Sequence, residues 1–87
     1  PFKEKQIGKQ LFLREFSADV DEMDLIWHTD REDRIVHVLE GNKWKFQFDE
    51  QLPFEMVDGI EITISKGELH RVIKGDGPLK IKLQKIF

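Results

Sequence analysis

Hydrophobic and polar residues alternate with a period of two along most of this chain, which places successive side chains on opposite faces of an extended backbone. Leu11–Phe16 predicts an opening strand and Leu25–His28 a second. Between them, residues 17–24 carry four acids and predict a helical turn capped by Ser17 or Asp19. Arg34–Glu40 and Lys43–Phe48 read as the arms of a hairpin, because Gly41-Asn42 is a two-residue turn signal. In the second arm Trp44, Phe46 and Phe48 share one face. Residues 49–58, with Pro53, read as a loop or an edge segment. Ile60–Ile64 alternates cleanly, Leu69–Ile73 follows a turn at Lys66-Gly67, and Leu79–Leu83 follows another turn at residues 75–78. About seven short strands separated by turn residues predict an all-β sandwich or barrel.

Composition narrows the function classes. At 87 residues the chain is expected to form one domain, and a domain of this size buries only roughly 60–65% of its unfolded surface. Seven Phe and two Trp offset that, since a buried aromatic removes on the order of 150–250 Å² from water. The net charge is −3, with 36% charged residues of both signs interspersed. No basic block stands out, so nucleic acid is not an expected partner. No apolar run approaches the length of a membrane span and no signal-peptide pattern is present, so we expect no membrane partner and a cytoplasmic location. The absence of cysteine removes disulfides and thiolate metal sites.

Candidate chemistry concentrates in two stretches. Trp27-His28-Thr29-Asp30 leads to Arg34, and Gly59 leads through Ser65 and Gly67 to His70. Residues two apart on a strand share a face, so His28 and Asp30 point at one spot. With His70 on a facing strand the three form a two-histidine, one-carboxylate set, which suits a divalent ion and leaves coordination positions open. His37 falls on the opposite parity from Arg34, Val36 and Val38 and is expected to be structural or exposed. Gln47 shares parity with Lys45 and is a candidate for the barrel mouth.

These two stretches resemble the paired motifs of the cupin superfamily. His28-x-Asp30-x3-Arg34-x6-Gly41 has the spacing of the first motif, with Asp for its second His and Arg for its Glu; position 22, where the motif begins with Gly, is Glu. Gly59-x5-Ser65-x-Gly67-x2-His70 has the spacing of the second, with Ser for Pro and Lys74 where Asn is usual. The likeness covers about residues 25–83 and extends, from Trp27 to Gly75, to small cupin-like proteins of bacteria and marine phages. It implies an all-β, double-stranded β-helix (jelly-roll) barrel with any site inside its mouth.

The resemblance also implies a metal site at His28, Asp30 and His70, with Fe, Mn, Ni or Zn as candidate ions. Arg34 stands where the fourth ligand would be, and a guanidinium cannot ligate a cation. Two outcomes follow. Arg34 orients the carboxylate of a small anionic substrate, with Gln47 as a second contact; or Arg34 pairs with Asp30 and fills the site with a salt bridge. The first gives a metal-dependent enzyme acting on a small anionic metabolite. The second gives a non-catalytic ligand-binding or regulatory barrel held by a buried polar network. In either case a homodimer is expected, with Leu11–Phe16 contributing to the contact.

Overall fold

A computed structural model describes residues 1–87. Eight strands form two antiparallel sheets: β1 Phe2–Gly8, β2 Leu11–Phe16, β3 Asp33–Glu40, β4 Lys45–Phe48, β5 Phe54–Glu55, β6 Glu61–Ile64, β7 His70–Ile73 and β8 Leu79–Ile86. The first sheet runs β1-β2-β8-β3-β6 and the second β5-β4-β7. The only helical element is a 3₁₀ turn at Glu22–Asp24. No helix is long and apolar enough to cross a membrane.

The period-two pattern becomes the inner face of a jelly roll. Across the first sheet Phe12 lies opposite Leu83 and Phe16 opposite Leu79, while Val36 is flanked by Leu83 and Ile62. Phe46 and Val72 face them from the second sheet, paired across β4 and β7. Trp44 is fully buried; it contacts the Phe16 ring and donates its indole N–H to Gly77 O at 2.7 Å. Burial of each such side chain stabilises the fold by roughly 1.5–3 kcal/mol.

Two expected elements differ. Arg34–Glu40 and Lys43–Phe48 are not hairpin partners: β3 pairs with β6 and β8, and β4 pairs with β5 and β7. The turn sits one residue later than expected, at Asn42 and Lys43, both with positive φ, and closes through Trp44 N–H to Gly41 O at 2.9 Å. It carries the chain from one sheet to the other. Gly41 is required there for space, since a Cβ would lie 1.7 Å from the Met56 carbonyl oxygen.

The second difference is Leu25–His28, which is not a strand. Only His28 touches a sheet, through an isolated bridge with His70 made of two 3.0 Å backbone hydrogen bonds. The preceding turn is capped by Asp21, whose carboxylate accepts from Met23 N–H at 2.9 Å, rather than by Ser17 or Asp19. Ser17 instead accepts from Asp19 N–H in a local turn. The N-terminal strand β1, for which the pattern gave no expectation, pairs with β2 and encloses Leu11–Phe16 between itself and β8. That stretch therefore has no free edge to offer a second copy; the free edges of this sheet are β1 and β6.

Candidate metal centre

His70 opens β7, where alternation turns it inward, and it is 3% exposed. The backbone bridge to His28 lays the second imidazole beside it, with ring centroids 4.3 Å apart. Asp30 follows two residues on, and its carbonyl accepts from Gly67 N–H at 3.0 Å. Gly67 has φ +79°, a left-handed conformation that glycine adopts without strain. That bond ties the turn before His70 to the segment bearing Asp30. The ligating atoms of His28, Asp30 and His70 all lie within 4.8 Å of one another.

Both imidazoles are oriented in the same way. His28 Nδ1 lies 3.0 Å from Ile26 O and His70 Nδ1 lies 2.7 Å from Glu68 O, each a carbonyl two residues upstream. A carbonyl only accepts, so each Nδ1 carries a proton, and in the neutral ring this leaves the lone pair on Nε2. Those two Nε2 atoms face Asp30, at 3.8 Å from Oδ1 for His28 and 3.3 Å from Oδ2 for His70. Ligands about 2.1 Å from one ion and about 90–109° apart are separated by about 3.0–3.4 Å. The His70–Asp30 separation falls in that range and the His28–Asp30 separation exceeds it by about 0.4 Å, and the outer imidazole nitrogens already have the partners that metal-bound histidines use.

Asp30 supplies a second indication. It is 8% exposed, and its Oδ2 is buried with no hydrogen-bond partner. Leaving a buried charged acceptor unsatisfied costs more than about 1–3 kcal/mol. Burial also pushes the His70 pKa below its ordinary value; the Glu68 carbonyl raises it, His28 lowers it, Asp30 raises it and Arg34 lowers it. His70 is thus held neutral, the form that ligates.

Arg34 projects from β3 into the same place. Its Nη1 lies 3.2 Å from Asp30 Oδ1, and its Nε and Nη2 lie 3.0 and 2.8 Å from Glu32 Oε1. Of the two outcomes for Arg34, the pair with Asp30 is the one present, but it uses one carboxylate oxygen and leaves the other beside His70. Glu32, also 8% exposed, holds the rest of the guanidinium. Two buried carboxylates against one guanidinium leave a formal charge of −1, which a divalent ion would convert to +1. The residues present therefore fit a divalent metal.

The other expected residues fall outside the cluster. Gln47 does not line the cavity around it; its amide accepts from Arg71 Nε at 2.9 Å and donates to Gln51 O at 2.9 Å. The parity of β4 explains this, since Phe46 and Phe48 take the inner face. Arg71 points away from His70, with its guanidinium 4.6 Å from the centre of the exposed Trp27 ring. His37 sits on the outer side with Glu61, 3.6 Å away. A residue the motif reading passed over is Arg14, which lines the same cavity of about 280 Å³ as His28, Asp30, Arg34 and His70. Its signal was present: in Leu11–Phe16 it shares parity with Phe12 and Phe16, so a charge faces inward.

No family pattern and no curated protein matches the chain by sequence. Solved structures do match. The chain is similar to the DMSP lyase DddQ from Ruegeria pomeroyi DSS-3, with 16% identity and a TM-score of 0.75 over 88% of this chain, which spans only 37% of DddQ. It is similar to FeII HppE, with 14% identity and a TM-score of 0.70 over 87% of this chain and 41% of that one. A cupin domain from Bordetella pertussis Tohama I matches over all of this chain and 93% of its own length, with 15% identity and a TM-score of 0.65. The fold of this chain is that of the cupins.

Proposed function

We propose that this domain binds one divalent cation through His28 Nε2, Asp30 and His70 Nε2 and acts on a small anionic metabolite. The observation that carries the reading is Asp30 Oδ2, a buried carboxylate oxygen without a partner beside the Nε2 lone pair of His70. When bound, the ion would supply a Lewis acid with open coordination positions. Arg34 keeps N–H groups beyond those used on Asp30 and Glu32, and these orient a substrate carboxylate. Asp30 and Glu32 neutralise the guanidinium, so it tolerates a cation nearby. The net +1 of the loaded site favours an anion.

The test is metal content after purification without chelators, then after incubation with Fe(II), Mn(II), Ni(II) or Zn(II). Fe(II) comes first, because one of the similar structures is named for it. We expect about one ion per chain, as three-ligand sites hold. No metal uptake from any of the four would end the metal reading. A second reading, a metal-free ligand-binding barrel, draws support from the Arg34–Asp30 contact at 3.2 Å. It expects anion binding that neither chelation nor metal loading changes.

A further inference from the structure

We propose that Arg14 is a second anion receptor in the same cavity, that its ligand is a small carboxylate with an apolar body, and that Glu4 holds the receptor until this ligand displaces it. The inference rests on the anionic ligand assigned above, but not on the metal.

Arg14 lies on β2 opposite Ile81 of β8, and its side chain is 13% exposed. An arginine at an inner-face position gives up hydration that an aliphatic residue there would not need. Burial lowers its pKa, with the bond and charge of Glu4 acting in the opposite direction. That pair is unevenly built. Arg14 Nε and Nη2 both reach one oxygen of Glu4, Oε2, at 2.7 and 2.5 Å, so Nη1 takes no part. The Phe2 ring covers the guanidinium, 3.9 Å from its centre, and packs on Phe16.

Glu4 comes from β1, an edge strand paired on one side only and exposed along its whole length. Its side chain is 28% exposed, against 13% for Arg14. Displacing Glu4 moves the more hydrated partner into solvent and replaces one carboxylate–guanidinium pair with another. The exchange is close to neutral in charge, so burial of the ligand's apolar body decides it.

The cavity supplies that burial. Most of its lining is apolar, including Phe2, Phe16, Val36, Val72 and Leu83. Its volume of about 280 Å³ equals about nine waters at about 30 Å³ each, which suits a ligand of about nine or ten non-hydrogen atoms. Acetate would reach Arg14 but leave the apolar wall wet. An alcohol of the same length would fill the wall but leave Glu4 in place.

The probe is octanoate, titrated calorimetrically into protein stripped of metal by chelation. We expect it to bind about tenfold or more tightly than octan-1-ol and acetate, as a charge-assisted pair plus apolar burial requires. Arg14→Gln should remove the preference over the alcohol. Glu4→Gln should tighten octanoate several-fold by removing the internal competitor, a gain that a merely structural Glu4–Arg14 pair cannot produce. Equal affinity for octanoate and octan-1-ol, unchanged binding in Arg14→Gln, or no gain in Glu4→Gln would each overturn the proposal. Octanoate binding is read on metal-free protein and metal uptake on protein without octanoate, so failure of the metal reading is separately visible.

Discussion

Asp30 Oδ2 and His70 Nε2 stand 3.3 Å apart without a hydrogen bond between them. With a proton of His70 donated to the Glu68 carbonyl, the neutral ring presents its Nε2 lone pair to Asp30, so two acceptors face each other. Such a pair is unfavourable unless a cation or a proton lies between. Asp30→Asn replaces one acceptor with an amide that can donate to His70. We expect the metal-free variant to lie within about 1 kcal/mol of the parent in urea unfolding, because a buried charge has been removed along with a bond to Arg34. Metal affinity should fall by about 100-fold or more, since the anionic ligand is gone. An unfolding loss of several kcal/mol with metal binding intact would contradict the assigned roles.

Glu32 predicts the reverse pattern. It is no member of the ligand set, yet it takes two of the guanidinium N–H groups of Arg34. Glu32→Gln leaves Arg34 with Asp30 as its one anionic partner. We expect a stability loss of about 2–3 kcal/mol, toward the lower end for breaking a buried pair because Asp30 compensates in part. Metal affinity should fall only modestly. Urea melts and metal titrations on the two variants give the comparison, and the assignment fails if their profiles coincide.

These roles were unevenly legible in the sequence. Period-two alternation separated the faces of β3, β6 and β8, and the resemblance of the two stretches to paired cupin motifs implied that His28, Asp30 and His70 meet in one place, as they do. Partner choice was not legible at Gly41-Asn42, because a turn signal describes local backbone geometry while β3 found its neighbours in β6 and β8, far along the chain. The His28 segment misled for a related reason. Its apolar run looks like a strand, but one bridge to His70 is all the sheet accepts. The clamp by Glu32 lies in an irregular segment before β3, where no periodicity assigns faces.

Two glycines separate strain from space. Gly67 has φ +79° but nothing within 4 Å of a Cβ, so Gly67→Ala should cost only the left-handed backbone penalty, about 1–2 kcal/mol. Gly41 is held with a backbone carbonyl oxygen 1.7 Å from where its Cβ would be. Gly41→Ala must move the Met56 backbone, whose N–H donates to Trp44 O at 2.8 Å, and so disturbs the buried Trp44. We expect a loss above about 3 kcal/mol or failure to fold, the range of strongly disruptive substitutions. Thermal melts that rank the two in the opposite order would refute the close packing at Gly41.

The last prediction concerns pH. Burial holds the His70 pKa below its ordinary value of about 6.5. An unfolded chain takes up the proton near that ordinary value, whereas the native state takes it up only at lower pH. Between the two, the unfolded state binds more protons, so stability falls as pH drops and levels off below the native pKa. The slope from this one group is at most about 1.4 kcal/mol per pH unit. It should appear just below pH 6.5, above the range where ordinary carboxylates titrate. His70→Gln abolishes the titration, so its urea midpoint should be flatter there than the parent's. The comparison is made on chelated protein, because a bound ion would add its own proton competition. Parallel profiles for parent and His70→Gln would show that His70 is not the buried neutral imidazole on which the ligand assignment depends.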